Sequence, residues 1–189
     1  MLIAAIATAM LAQPPAPVSS SPLHAAAERL AKATSLQPSE MFGPLQTNLP
    51  PERRKALEAA MVESHDDASA LRDALADAYA RHLTLTEIEG AVAFFESSAG
   101  ASFERKMLKR QGEAFSAEET QAARAFLQSP AGAAYQAKWP IVGEDMRPAL
   151  KSFSDKLMSR AQAIHCRATN ECGPFLQPPA ASPPAPARP

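Results

Sequence analysis

One stretch of the chain occurs twice. Thr84 to Lys106 reads TLTEIEGAVAFFESSAGASFERK, and 32 residues later Ser116 to Lys138 reads SAEETQAARAFLQSPAGAAYQAK. Glu87/Glu119, Ala91/Ala123, Phe94/Phe126, Ser97/Ser129, Gly100/Gly132 and Lys106/Lys138 match outright, and Thr84/Ser116 and Phe103/Tyr135 match in chemical type. Unlike residue types recurring at one spacing mean duplication, so a fold that suits one copy must suit the other.

Each copy opens with a hydroxyl residue followed three positions later by glutamate. This is the capping box: Thr84 or Ser116 accepts from the third amide of a helix while Glu87 or Glu119 reaches back to the cap. Ile88, Ala91, Val92 and Phe95 then recur at the spacing of one helical face. A second start follows in the pattern Phe-x-x-Ser-x-Ala-Gly. Ser129-Pro130 states it most clearly, because serine is a preferred cap and proline has no amide to lose at the first helical position. Each unit is therefore predicted to be helix, sharp break at Ser97 or Ser129, helix. Ala131, Tyr135, Trp139, Val142 and Met146 carry the apolar stripe onward. Gly100 and Gly132 are expected to let the two helices of a unit cross closely.

The run Tyr79-Ala80-Arg81-His82-Leu83-Thr84-Leu85-Thr86-Glu87-Ile88, followed by Phe94-Phe95-Glu96-Ser97-Ser98-Ala99-Gly100, resembles the signature of a bacterial family catalogued as domain of unknown function 2059. The resemblance extends over roughly Ala68 to Met158. It implies a small, exported, all-helical protein, and it implies no activity. The first copy departs from the family pattern in having Ser98 where proline is usual; Ser129-Pro130-Ala131-Gly132 is closer there.

The chain has 189 residues, which suits one domain with tails. With 19 basic and 20 acidic residues the net charge is -1, which supplies no field for nucleic acid. The apolar run from Leu2 to Ala12 is too short to span a bilayer, which takes about 20 residues, and has the length of a signal-peptide core. Residues 1–12 are accordingly expected to be a signal peptide, 13–21 a Pro/Ser-rich linker, 22–172 the helical domain and 173–189 a disordered tail holding 7 of the 18 prolines. Once the signal is cleaved, the protein is expected in the periplasm or outside the cell, without stable membrane insertion. In that compartment Cys166 and Cys172 read as one small disulfide. Zinc would find only His165 beside them, with no C-x-x-C spacing and no fourth ligand.

In chain order, Ser21-Pro22 starts a helix with Leu23, Ala27, Leu30 and Ala31 on its apolar face. Residues 35–50, with Pro38, Gly43 and Pro44, read as a loop pinned by Met41 and Phe42. Pro51 to Met61 is a helix burying Leu57, Ala60 and Met61. The next is expected to be capped by Asp66 or Asp67 and to present Leu71, Leu75, Ala78, Tyr79 and His82 on one face. Pro140 and Pro148 are expected to kink or divide the segment after Trp139. A last helix from Ala149 to about His165 carries Leu150, Phe153, Leu157, Ala161 and Ile164. The fold predicted is all-α, a compact bundle of about six to eight short helices. A 32-residue helix pair has the size of a tetratricopeptide unit, although two copies are fewer than the three or so a stacked array needs.

No catalytic set emerges. Glu87 and Glu119 are accounted for by their capping boxes, and Ser97 and Ser129 by the helix starts, since neither serine lies in a G-x-S-x-G elbow. No phosphate loop or dinucleotide fingerprint occurs, so no cofactor is expected. His82 is either a partner for a helix-end carbonyl or, with His65 or His165, a metal ligand. Tyr135, Trp139 and Phe126 read as the aromatic centre of the core, or else as the lining of a groove. The basic run Arg105 to Arg110 reads as a solvated helix face. The first expectation is a non-enzymatic module that binds another envelope protein or peptide, with the tail as spacer. The alternative is a small-molecule or metal binder, or a hydrolase, using a groove near Tyr79, His82, Tyr135 and Trp139.

Overall fold

In the computed structural model, residues 21–35, 37–109 and 114–176 are described, and every regular element among them is an α-helix. The signal segment 1–12, nearly all of the linker 13–21 and most of the proline-rich tail lie outside these residues. Eight helices follow in order: α1 (Pro22–Thr34), α2 (Pro38–Gln46), α3 (Pro51–Val62), α4 (His65–His82), α5 (Leu85–Phe95), α6 (Ser98–Lys109), α7 (Ala117–Gln128) and α8 (Pro130–Thr169). The fold is an all-α bundle.

The local chemistry that starts these helices is visible bond by bond. Ser21 accepts from the His24 amide at 3.2 Å with Pro22 at the first helical turn of α1. Thr84 Oγ1 accepts from the Glu87 amide at 3.4 Å while Glu87 accepts from the Thr84 amide at 2.8 Å. Ser116 and Glu119 repeat this at 3.1 and 2.7 Å. At both breaks one hydroxyl joins two helices. Ser97 donates to the Phe94 carbonyl at 2.6 Å and accepts from the Gly100 amide at 3.0 Å; Ser129 does the same to Phe126 and Gly132 at 2.6 and 3.1 Å. So tight a junction brings the carbonyl ending one helix onto the first turn of the next. A Cβ on Gly100 would overlap the Phe94 carbonyl oxygen, and one on Gly132 the Phe126 oxygen. The close approach is between a glycine and the end of its own partner helix.

Three features differ from expectation. Residues 38–46 form α2 rather than a loop, because Pro38 presets its first turn and Glu40 reaches back to the Gln37 amide at 3.0 Å. The N-cap of α4 is Ser64, and Asp66 and Asp67 lie within the first turn. Asp67 holds Lys156 at 2.9 Å and Arg160 at 3.1 Å instead, which ties the start of α4 to α8. Pro140 and Pro148 do not divide α8, which runs 40 residues. An internal proline costs about 3 kcal/mol. Both rings face solvent, where the carbonyls left without an amide are open to water. On the opposite side Val142, Met146, Phe153, Leu157 and Ala161 are buried and hold the helix to the bundle.

Two apolar clusters result. The larger joins Ala27 and Leu30 of α1, Tyr79 of α4, Ile88, Val92 and Phe94 of α5, Phe126 of α7, and Val142 and Met146 of α8. The smaller joins Ala56, Leu57 and Ala60 of α3 to Phe153, Leu157 and Ala161 of α8, and to Phe175. Met61 is only half-buried.

The repeats do not stack as tetratricopeptide units. Lys138 of the second copy donates to Glu87 of the first at 2.7 Å, and Lys106 of the first donates to Glu119 of the second at 3.0 and 2.8 Å. Reciprocal contact between equivalent positions is the mark of a two-fold relation, as in an isologous dimer. Two units so related close their apolar faces on each other, and a third repeat is unnecessary.

Candidate functional site

The surface feature with the chemistry of a binding site lies along α8. Trp139, Val142, Gly143, Met146, Leu150 and Phe153 share one face of that helix and form one wall of an apolar slot of about 190 Å³. The far wall comes from Leu71, Arg72 and Leu75 of α4, and the rim from Thr34, Ser35, Gln37 and Met41 at the α1–α2 junction. From Trp139 to Phe153 the α8 wall is about 21 Å long, at 1.5 Å per residue. A second hollow of about 230 Å³, lined by Phe94, Phe95, Phe103, Phe126, Leu127 and Tyr135 among others, meets the slot at Trp139.

Trp139 is 48 % exposed. It is therefore not the centre of the core, as the aromatic pattern implies, but an edge residue stacked on Tyr135, ring centroids 5.7 Å apart. Core aromatics are drawn instead from Phe94, Phe126 and Tyr79. The position on α8 explains this: Trp139 stands one turn before Val142 and Gly143, where the stripe leaves the cluster and becomes the slot wall.

Of the four residues marked as groove candidates, three come together. Thr34 Oγ1 donates to the Leu30 carbonyl at 2.9 Å, so its lone pairs are left for the Tyr79 hydroxyl, also at 2.9 Å. Tyr79 must then accept from Tyr135 at 3.2 Å, since each hydroxyl has one proton. The chain runs one way, from Tyr135 through Tyr79 and Thr34 to the backbone. Burial pushes Tyr79 up to about 12 and raises Tyr135 as well. Both phenols are hydrogen-bonding groups at neutral pH and not bases.

His82, the fourth candidate, is turned to Asp145 of α8 at 2.7 Å. Arg81 reaches the same carboxylate oxygen at 2.7 Å, and the His82 bond, with that cation beside it, holds Asp145 below the usual carboxylate range. The histidine is thus a clamp between α4 and α8. His65 is exposed and His165 lies near the C-terminal end of α8, and among the described residues no group of three or more His, Cys, Asp or Glu is placed to hold a metal.

The two cap glutamates are fully occupied. Lys106, then Ser102 and the Ser116 amide, hold Glu119 down to about 2, and Lys138 with the Thr84 amide lowers Glu87. Glu104, which no pattern in the sequence singles out, goes the other way. Burial and then the Glu40 charge push its carboxyl up to about 7. Its counterpart in the second copy is Gln136, so duplication gave no signal there, and Glu104 lines none of the hollows described. Arg72 and Gly143 also escaped sequence reasoning, because a slot between four helices is a property of their packing.

At the far end, Cys166 and Cys172 are joined as a disulfide, with Cα atoms 4.6 Å apart. The sulfurs are spent on each other, which leaves no zinc set. Asn170 in the left-handed conformation ends α8, and the chain returns so that Phe175 is buried in the smaller cluster while Arg53 Nη1 donates to its carbonyl at 2.9 Å. Of the tail expected from residue 173, residues 173–176 are described and belong to this hook, and the rest lies outside the described residues. His165 is buried beneath this hook, against the Phe175 ring, and neither ring nitrogen has a hydrogen-bond partner among the described residues, Glu171 coming no closer to Nε2 than 3.8 Å. No described helix is long and apolar enough to cross a membrane.

No curated protein and no solved structure matches the chain at a significant level. Residues 69–111, which hold most of α4, the whole of α5 and α6 and therefore the first copy of the repeat, match the model of a family described as an uncharacterized protein conserved in bacteria, DUF2059.

Proposed function

We propose that this is a non-enzymatic binding module of the bacterial envelope, and that it binds through the apolar slot along α8. One observation carries the reading: an apolar cleft of about 190 Å³ into which a few polar groups, Thr34, Ser35, Gln37 and Arg72, converge. Apolar walls with few polar groups are what ligand sites have. No nucleophile sits beside a base in that set, so it holds rather than transforms. Export is supported by the disulfide, and a bacterial source by the family match to α4–α6.

The test uses the chain's single tryptophan. Trp139 lines the slot, so an apolar environment-sensitive dye entering there should change Trp139 emission saturably, at one dye per chain. Gly143→Leu should abolish the response, because no atom lies within 4 Å of a Cβ at that position and the side chain would extend into the slot. An unfilled slot in the wild type, with dye uptake linear and unaffected by Gly143→Leu, would reject the proposal.

A further inference from the structure

We infer that the occupant of the slot is a single-chain amphiphile with an anionic head, its hydrocarbon lying along α8 and its head at Arg72; this rests on the slot being the binding site. Shape argues for the chain. A volume of about 190 Å³ drawn out along about 21 Å of helix is long and thin, and fits an alkyl chain better than a ring system.

Gly143 is the second observation. Glycine inside a helix costs about 1 kcal/mol relative to alanine. Gly90, Gly100 and Gly132 have a steric reason for being glycine, since an added Cβ would overlap Ala131, Phe94 and Phe126 respectively. Gly143 has none: the space above it is empty. What its missing side chain does is lower the floor of the slot midway between Trp139 and Leu150, where any larger residue would interrupt a chain lying lengthwise.

Charge decides the head. Arg72 is half-buried, and no carboxylate lies within 4.0 Å of it among the described residues, where nine other lysine and arginine side chains have one. A partly desolvated guanidinium is completed by a bidentate anion. Arg72 also lines an adjoining polar cup of about 480 Å³ together with Lys32, Glu28 and Asp73, two cations against two carboxylates, so a hydrated head has room there. Direction follows from the helix ties. Asp67 meets Lys156 and Arg160, and His82 meets Asp145, so α4 runs antiparallel to α8. Arg72 is nearer the Asp67 tie. The head therefore belongs at the Phe153 end, and the end of the chain points to Trp139.

The experiment titrates the full mature chain with dodecanoate, dodecyl phosphate, dodecanol and dodecyltrimethylammonium below their micelle concentrations, following Trp139 emission. Either anion should bind about ten-fold more tightly than the alcohol, the size of one charge-assisted hydrogen bond, and the cation least. Arg72→Gln should remove that preference while leaving dodecanol binding unchanged, and Arg72→Lys should restore part of it. A bromine at the chain end should quench Trp139 more than one beside the head. Equal affinity for anion and alcohol, with Gly143→Leu still abolishing both, would overturn the anionic head and leave the slot as a binding site. Displacement of dye by an apolar helical peptide alone, or dimerisation blocked by Gly143→Leu, would overturn the amphiphile in favour of a peptide or a second copy. If no compound and no dye binds, both this inference and the proposed function fall.

Discussion

Phe94 and Phe126 lie face to face, ring centroids 4.4 Å apart and planes 3° from parallel. They hold the same position in the two copies of the repeat, so the stack marks where the copies meet. Phe126→Ala should cost about 3–5 kcal/mol in urea unfolding, the range for truncating a buried phenylalanine. Phe94→Ala should cost a similar amount, and the double variant less than the sum, because either change alone already breaks the stack.

The glycines of α8 predict opposite signs for one substitution. Gly132→Ala forces a Cβ into the Phe126 carbonyl and should lower the melting temperature by several degrees, as should Gly132→Leu. Gly143→Ala enters open space and gains helix propensity, so it should raise it by about 2–4 °C, equivalent to about 1 kcal/mol. Differential scanning calorimetry of the pair separates a glycine required by the fold from one the fold does not use.

Two glutamates should pull stability in opposite directions with pH. Glu119 is held down to about 2 from 4.5, so its contribution is present above 4.5 and is lost as pH falls towards 2. Glu104 is raised from 4.5 to about 7, so its neutral form stabilises fully below 4.5 and that advantage is lost as pH rises through 7. In thermal melts across that range, Glu119→Gln should be less stable than wild type at neutral pH, the gap closing in acid. Glu104→Gln should match wild type in acid and exceed it above pH 7. The reverse order for either would show the cause assigned to it to be wrong.

The C-terminal hook should behave as a unit. Closing a loop as short as that between Cys166 and Cys172 limits the unfolded chain by about 2 kcal/mol, and burying Phe175 adds a comparable amount. Cys166→Ser with Cys172→Ser, and Phe175→Ala, should each lower stability, and together by less than the sum, since either loosens the segment the other holds. Additivity would mean the two act separately.

Local rules made part of this molecule legible. Ser97 and Ser129 announce their breaks because a cap and its amide are three residues apart, and Thr84/Glu87 and Ser116/Glu119 for the same reason. Leu30, Leu57, Ile88 and Leu157 fall on their helical stripes. What the sequence does not show is which stripe meets which. The exchange of Lys106 and Lys138 between copies, the burial of Glu104 and the slot floor at Gly143 each depend on helices far apart in the chain. Pro140 and Pro148 misled in a related way. A proline's cost is local, whereas the burial that outweighs it is distributed along the whole of α8. Trp139 belongs to the stripe in sequence and to the surface in space, since the stripe outruns the core beneath it.

The hook has a mechanical consequence. Whatever chain follows Leu176 departs from a point riveted by a covalent cross-link, a sunken aromatic ring and the Arg53 grip, with Phe175 against His165, about 18 Å along α8 from Phe153 at the nearer end of the slot. Tension applied to that chain would load the rivet first, so a pull on whatever follows Leu176 is expected to leave the proposed slot undistorted.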